Sequence, residues 1–199
     1  MAPPVIYYVR HGETDWNVEG RLQGGHDIKL NTRGRAQAAR CGEILRDLFA
    51  RAGRDASSYD YISSPLVRAT ETMEIARSAL TLHPDRYRID QALTEISFGD
   101  WEGFTIRQLR ERNPERVAER ERDKWHFLPP GGESYEAVSK RMQVWYGRLG
   151  GDAVVAAHGG TARGLFAALG IAEPAVAPLI DIEQGVVYVI EGRKLTRYV

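Results

Sequence analysis

The chain has 199 residues, 43% of them hydrophobic, which is enough for one sizeable core and short for two ordinary domains, so a single domain over residues 1–199 is expected. Lys and Arg number 27 and Asp and Glu number 27, which removes the net field that nucleic acid or an anionic membrane would answer; a small charged metabolite fits better as a partner. The single cysteine, Cys41, excludes a disulfide within the chain, and Arg10 and Arg163 interrupt the two apolar runs before either could serve as a signal peptide or membrane span, so a cytoplasmic location is expected.

Val5 to Val9 is a short apolar run rich in β-branched and aromatic residues, as expected of a strand buried on both faces, and it ends at Arg10-His11-Gly12. After a polar loop, Asn31 can cap a helix running to about Ala52, with an apolar stripe at Cys41, Ile44, Leu45, Leu48 and Phe49. Tyr59 to Ser63 reads as a second strand. Ser64-Pro65 reads as an N-cap followed by proline in the first position of a helix striped by Leu66, Ala69, Met73, Ala76 and Leu80. Thr105 to Trp125 is dominated by Arg and Glu and split by Pro114, which predicts two short solvated helices without a core of their own, within a lid-like excursion at about 104–134. Glu133 to Leu149 is expected to be helical, Ala153 to Ala157 a buried strand ending at His158-Gly159-Gly160, Thr161 to Leu169 a helix, and Val186 to Ile190 and Leu195 to Tyr198 strands. Alternation of strand and helix predicts a three-layer α/β/α sandwich with a mostly parallel central sheet. Ligands gather at the carboxyl ends of such strands, which puts His11 and His158 on one rim.

Five ordered segments carry a resemblance. They are Arg10-His11-Gly12-Glu13-Thr14 with Asn17 and Arg21-Leu22-Gln23-Gly24; Ser63 to Ala69; Leu93 to Gly99; Gly131 to Ser134; and Ala157 to Gly160. Together they resemble the signature of the histidine phosphatase superfamily, whose phosphoglycerate mutase-like fold agrees with the sandwich. The resemblance implies a pocket in which Arg10, His11, Arg68 and His158 hold a phosphoryl group, lined by Asn17, Gln23, Gly24 and Gly159, with Glu95 as acid and then base.

The residue chemistry leads to the same place. A neutral imidazole attacks phosphorus when one nitrogen is bare and the other is held by an acceptor, a task suited to His11 at a strand tip. Phosphoryl transfer is largely positioning and charge stabilisation, for which Arg10, Arg68 in the first turn of a helix, and His158 supply donors. An aliphatic alkoxide leaves poorly without a proton, and Glu95, between Leu93 and Phe98, is the candidate donor. Glu13 is the competing carboxyl, with orienting backbone or histidine as its preferred role. Thr14 reads equally as a pocket hydroxyl or a turn residue. His26, His83 and His126 lack partners at metal-like spacing, no phosphate-binding glycine loop of the nucleotide type occurs, and no metal or cofactor is expected.

Mutases of the superfamily share the pocket but usually carry more chain between the acid and the second histidine and a longer tail. Here Glu95 and His158 stand 63 positions apart (158 − 95) and 41 residues follow His158 (199 − 158), which favours a phosphatase over a mutase. A non-catalytic phospho-ligand binder is a third reading, disfavoured because every pocket position holds a competent residue. Arg120 to Trp125 and Pro130 to Tyr135 resemble the fructose-2,6-bisphosphatase branch, where the residues matching Arg120, Lys124, Tyr135 and Arg163 bind the sugar phosphate. Ile106 and Gly159 depart from that branch, which has tyrosine and glutamine there.

Overall fold

The computed structural model describes residues 3–199. In chain order its elements are β1 (Val5–Arg10), α1 (Asp15–Glu19), α2 (Thr32–Arg51), β2 (Asp60–Ser63), α3 (Val67–Ala79), β3 (Arg88–Ile89), α4 (Ile106–Arg112), α5 (Pro114–Arg122), α6 (Tyr135–Tyr146), β4 (Ala153–Ala157), α7 (Gly159–Ala168), β5 (Val187–Glu191) and β6 (Lys194–Tyr198). They form a six-stranded sheet in the order β3-β2-β4-β1-β5-β6. β1, β2, β3 and β4 pair in parallel, while β5 and β6 close one edge antiparallel. Among the described residues no helix is long and apolar enough to cross a membrane.

Period-two alternation along the central strands builds two cores. Ile6, Tyr8, Val155 and Ala157 face α6 and α7, meeting Val138, Met142, Trp145, Leu165 and Phe166. Tyr7, Val9, Val154 and Ala156 face α2 and α3, meeting Cys41, Leu45, Phe49 and Met73. These are the three layers expected. α2 enters against the tip of β1 so closely that a Cβ on Gly12 would lie 2.2 Å from the carbonyl oxygen of Gly34, and one on Gly34 would lie 2.1 Å from that of Glu13. Only glycine fits at either position.

Four expectations change. The helix after β2 starts two residues later than Pro65: Leu66 is its N-cap and has no side-chain acceptor to cap with, while the Ser64 hydroxyl meets the Leu66 amide and His158 instead. The loop after Gly12 contains the short α1, capped by Thr14 through a local box with Asn17 that the apolar periodicity could not reveal. α6 is shorter than expected, because Ser134 caps it and Gly147 ends it. α4 and α5 are not coreless: Leu109 and Val117 pack with Trp101 in a small apolar cluster bordered by Phe104 and Phe127.

Candidate active site

β1 and β4 are parallel neighbours with Arg10 in register with Ala157, so the next residue of each strand, His11 and His158, emerge side by side. Their ring centroids are 5.1 Å apart, and the His11 amide donates to the Ala157 carbonyl at 2.8 Å. The chain leaves β1 for α2 on one face of the sheet and leaves β4 for α7 on the other. A crevice opens where such neighbouring connections diverge. It holds a pocket of about 120 Å³ lined by Arg10, His11, Asn17, Gln23, Gly24, Arg68 and Glu95, with Arg21, Leu22 and Phe98.

His11 is buried, and its Nδ1 lies 2.7 Å from the Gly12 carbonyl oxygen. A carbonyl only accepts, so Nδ1 carries the proton and Nε2 keeps its lone pair. Burial, Arg68 and Arg10 all hold the imidazole well below its ordinary pKa, against the pull of the Gly12 carbonyl. The ring is therefore neutral and competent as a nucleophile.

The surrounding donors are anchored but incomplete. Arg10 Nη1 donates to the Ile182 carbonyl at 2.6 Å, and Arg68 donates to the carbonyls of His26 at 2.6 Å and Gly24 at 2.8 Å. Burial lowers the pKa of both guanidinium groups. Among the described residues six buried side-chain polar atoms have no partner, and Arg10 Nε, Arg68 Nε, His158 Nδ1 and Gln23 Oε1 are four of them. Gln23 Oε1 is an acceptor, but the two guanidinium Nε–H groups are donors, buried donors without acceptors are costly, and their place beside His11 fits an anion that would satisfy them.

Asn17 Oδ1 accepts from the Thr14 amide (3.1 Å), the Thr14 hydroxyl (3.0 Å) and Gln184 Nε2 (3.1 Å). That leaves the Asn17 amide nitrogen for the pocket. Thr14 is buried and caps α1, its amide and hydroxyl both donating to Asn17 Oδ1. Glu95 Oε1 accepts its neighbour's Ile96 amide at 2.9 Å, and the segment before it is braced by Arg141, which donates to the carbonyls of Ala92 (2.5 Å) and Thr94 (2.8 Å). A Cβ on Gly160 would lie 2.3 Å from Glu95 Oε1, so glycine is what admits this carboxylate beside α7. Glu13 accepts from Asn31 Nδ2 at 3.1 Å at the start of α2.

The model of the histidine phosphatase superfamily (branch 1) matches residues 6–197. The chain belongs to that superfamily. Among its relatives, a 2,3-bisphosphoglycerate-dependent phosphoglycerate mutase of Gloeobacter violaceus is 31% identical over 188 residues, 90% of this chain and 81% of the relative. The 6-phosphofructo-2-kinase/fructose-2,6-bisphosphatase of Gallus gallus is 35% identical over 143 residues, 72% of this chain and 27% of that longer protein. The crystal structure of an alpha-ribazole phosphatase from Shigella flexneri superposes with a TM-score of 0.79 at 28% identity, covering 98% of this chain and 95% of the other.

Of the further residues singled out in this histidine phosphatase, Gly159 and Arg163 lie nearest Arg10. A Cβ on Gly159 would be 3.7 Å from Arg10 Nε and 3.5 Å from Arg163 Nη1, so Gly159 is the gap between the two arginines. Arg163 is fixed by the Ile180 carbonyl (2.8 Å) and meets the Tyr135 hydroxyl at 3.3 Å. Burial lowers the pKa of Arg120, and burial together with Arg120 and Arg163 lowers that of Lys124, so these cations share one neighbourhood. The rings of Trp125 and Tyr135 belong to the core beneath, which leaves only the tyrosine hydroxyl for the rim. His126 and His83 pair with Asp123 and Asp85 at the surface, and His26 stacks near Trp16. No group of three metal-ligating residues occurs among the described residues.

Three contributors escaped the sequence reading. Thr72 accepts the Gly12 amide at 3.0 Å and donates to the Arg68 carbonyl at 2.7 Å, tying the His11 turn to α3; Gln184 holds Asn17; and Ser64 bonds His158. Only Ser64 lay within a recognisable motif.

The two neutral histidines have a thermodynamic signature. Both have folded pKa values below the ordinary 6.5, so the unfolded chain binds protons that the folded chain refuses. Their contribution to stability is therefore complete above that value and is lost as the pH falls below it. Each contributes a slope of up to about 1.4 kcal/mol per pH unit. Thermal unfolding followed downward from neutral pH should show a falling Tm, and His11→Asn should make the fall shallower; an unchanged slope in the variant would contradict a neutral buried His11.

Proposed function

We propose that this chain hydrolyses a phosphomonoester of a small metabolite by way of a phosphohistidine on His11. The observation that carries the reading is His11 itself: Nδ1 is engaged by the Gly12 carbonyl and Nε2 is bare in a pocket ringed by unpartnered donors. In the first step Nε2 attacks phosphorus and the ester oxygen departs with a proton from Glu95. Arg10, Arg68 and His158 donate to the equatorial oxygens, with Asn17, Gln23, Gly24 and Gly159 lining the cradle. In the second step Glu95, now a carboxylate, takes a proton from water as it attacks the phosphohistidine, releasing phosphate and restoring both residues.

Phosphatases among the structural neighbours support hydrolysis, and the Gloeobacter relative supports a mutase as the second reading, since both reactions begin with the same phosphohistidine. Phosphate release from a panel of phosphorylated metabolites, run beside a mutase assay with 3-phosphoglycerate and 2,3-bisphosphoglycerate, separates them. Hydrolysis of a panel member without isomerisation is expected; rapid isomerisation with little phosphate release would select the mutase.

Arg120, Lys124, Tyr135 and Arg163 would hold the rest of the substrate, as a second anionic group would neutralise cations that now crowd one another. Removing a partly desolvated lysine contact to an anion costs roughly 2–4 kcal/mol of binding, against almost nothing for a solvated lysine. Lys124→Ala should therefore lower kcat/KM for a doubly anionic metabolite and barely change it for p-nitrophenyl phosphate. An unchanged substrate profile would make this stretch mere surface.

A further inference from the structure

His158 is held by more than its strand. Its amide donates to the hydroxyls of Tyr8 and Thr161, each at 3.1 Å, and its carbonyl accepts from Tyr8 at 2.7 Å. With the backbone pinned, the ring's orientation and proton are decided by its own two nitrogens. Nε2 lies 2.7 Å from the Ser64 hydroxyl oxygen, and both residues are completely buried. That oxygen already accepts the Leu66 amide at 3.3 Å. A serine hydroxyl has one proton and two lone pairs; one lone pair is taken by Leu66, and Nε2 is the one acceptor its proton meets among the described residues, so donation to Nε2 is what satisfies it. On the opposite side of the ring Nδ1 is buried without a protein partner.

A neutral imidazole carries a single N–H, and which nitrogen holds it is set by the bond the other makes. Burial, Arg68, His11 and Arg10 keep His158 neutral. With Nε2 accepting from Ser64, the proton lies on Nδ1 and can be donated to an oxyanion beside His11. The other tautomer would turn a bare lone pair from Nδ1 towards that oxyanion, which repels it. Protonating both nitrogens would place a third cation next to Arg10 and Arg68.

We propose that Ser64 is a positioning residue, whose hydroxyl donates to His158 Nε2 and thereby fixes the Nδ1–H tautomer that donates to the phosphoryl oxygens. The role in transfer rests on the phosphohistidine reading above, but the tautomer does not. It is read from the ¹⁵N spectrum of the ligand-free protein, in which His158 should show a pyrrole-like Nδ1 and a pyridine-like Nε2. Ser64→Ala should mix the two forms and weaken binding of inorganic phosphate about ten- to hundredfold, the worth of one hydrogen bond to a charged group. Ser64→Thr, which keeps the hydroxyl, should restore both the spectrum and the affinity. An Nε2-protonated His158 in the unsubstituted protein overturns the proposal, and so does an alanine variant with unaltered tautomer and phosphate affinity. If the alanine variant does not fold, the spectrum of the unsubstituted protein still decides. Failure of His11 to acquire phosphate, with the tautomer as expected, would instead remove the phosphohistidine reading and leave the tautomer assignment standing.

Discussion

His11→Ala should retain the fold and lose turnover by several orders of magnitude, the cost of removing an obligatory covalent route. The expectation of an intact fold has a local basis. The side chain's hydrogen bond is to the adjacent Gly12 carbonyl, whereas the backbone of the turn is held independently by Ala157 and Thr72. Replacement therefore leaves the β1–β4 register without a broken tie. Activity towards p-nitrophenyl phosphate and thermal unfolding should be measured together, with mass spectrometry of the protein quenched during turnover. The unsubstituted chain should gain one phosphoryl group on His11 and the variant none. A folded variant with near-normal turnover would exclude His11 as the nucleophile.

Glu95→Gln divides by leaving group. Glutamine keeps an oxygen able to accept from the Ile96 amide, so the brace of this loop by Arg141 should survive. What it lacks is a transferable proton. An alkyl phosphate should then be cleaved roughly 10²–10⁴-fold more slowly in the phosphorylation step, the usual worth of a positioned acid, while p-nitrophenolate departs without help. Single-turnover mixing isolates that step from the later hydrolysis of the phosphohistidine, which should slow equally whichever ester supplied the phosphate. Equal loss of phosphorylation for both esters would mean that Glu95 does not protonate the leaving group.

The placing of His11 and His158 on one rim was legible because of where they sit in the sequence. Continuous apolar runs mark β1 and β4, a buried strand must end at a sheet rim, and a histidine before glycine follows each. The three-layer arrangement followed from the same alternation. What stayed hidden has a common physical origin in contacts between side chains distant in sequence. Ser64 looked like a helix cap because serine before proline so often is one, yet its hydroxyl answers to a histidine 94 positions away. Gln184 reaches Asn17 across 167 positions with no periodicity to announce it. The charged stretch of α4 and α5 concealed its apolar cluster, since two buried residues spread over two short helices leave no stripe. The cap that Thr14 provides for α1 was equally hidden, because a hydroxyl that holds a neighbouring side chain and one that faces a pocket have the same one-letter context.

That small cluster of Trp101, Leu109 and Val117 gives the excursion an apolar anchor of its own, joined to the core beneath through Phe98, which packs against both, and through Trp125. Substitutions within it act first on a few neighbours, and the route from there to the pocket runs through Phe98, which also lines it.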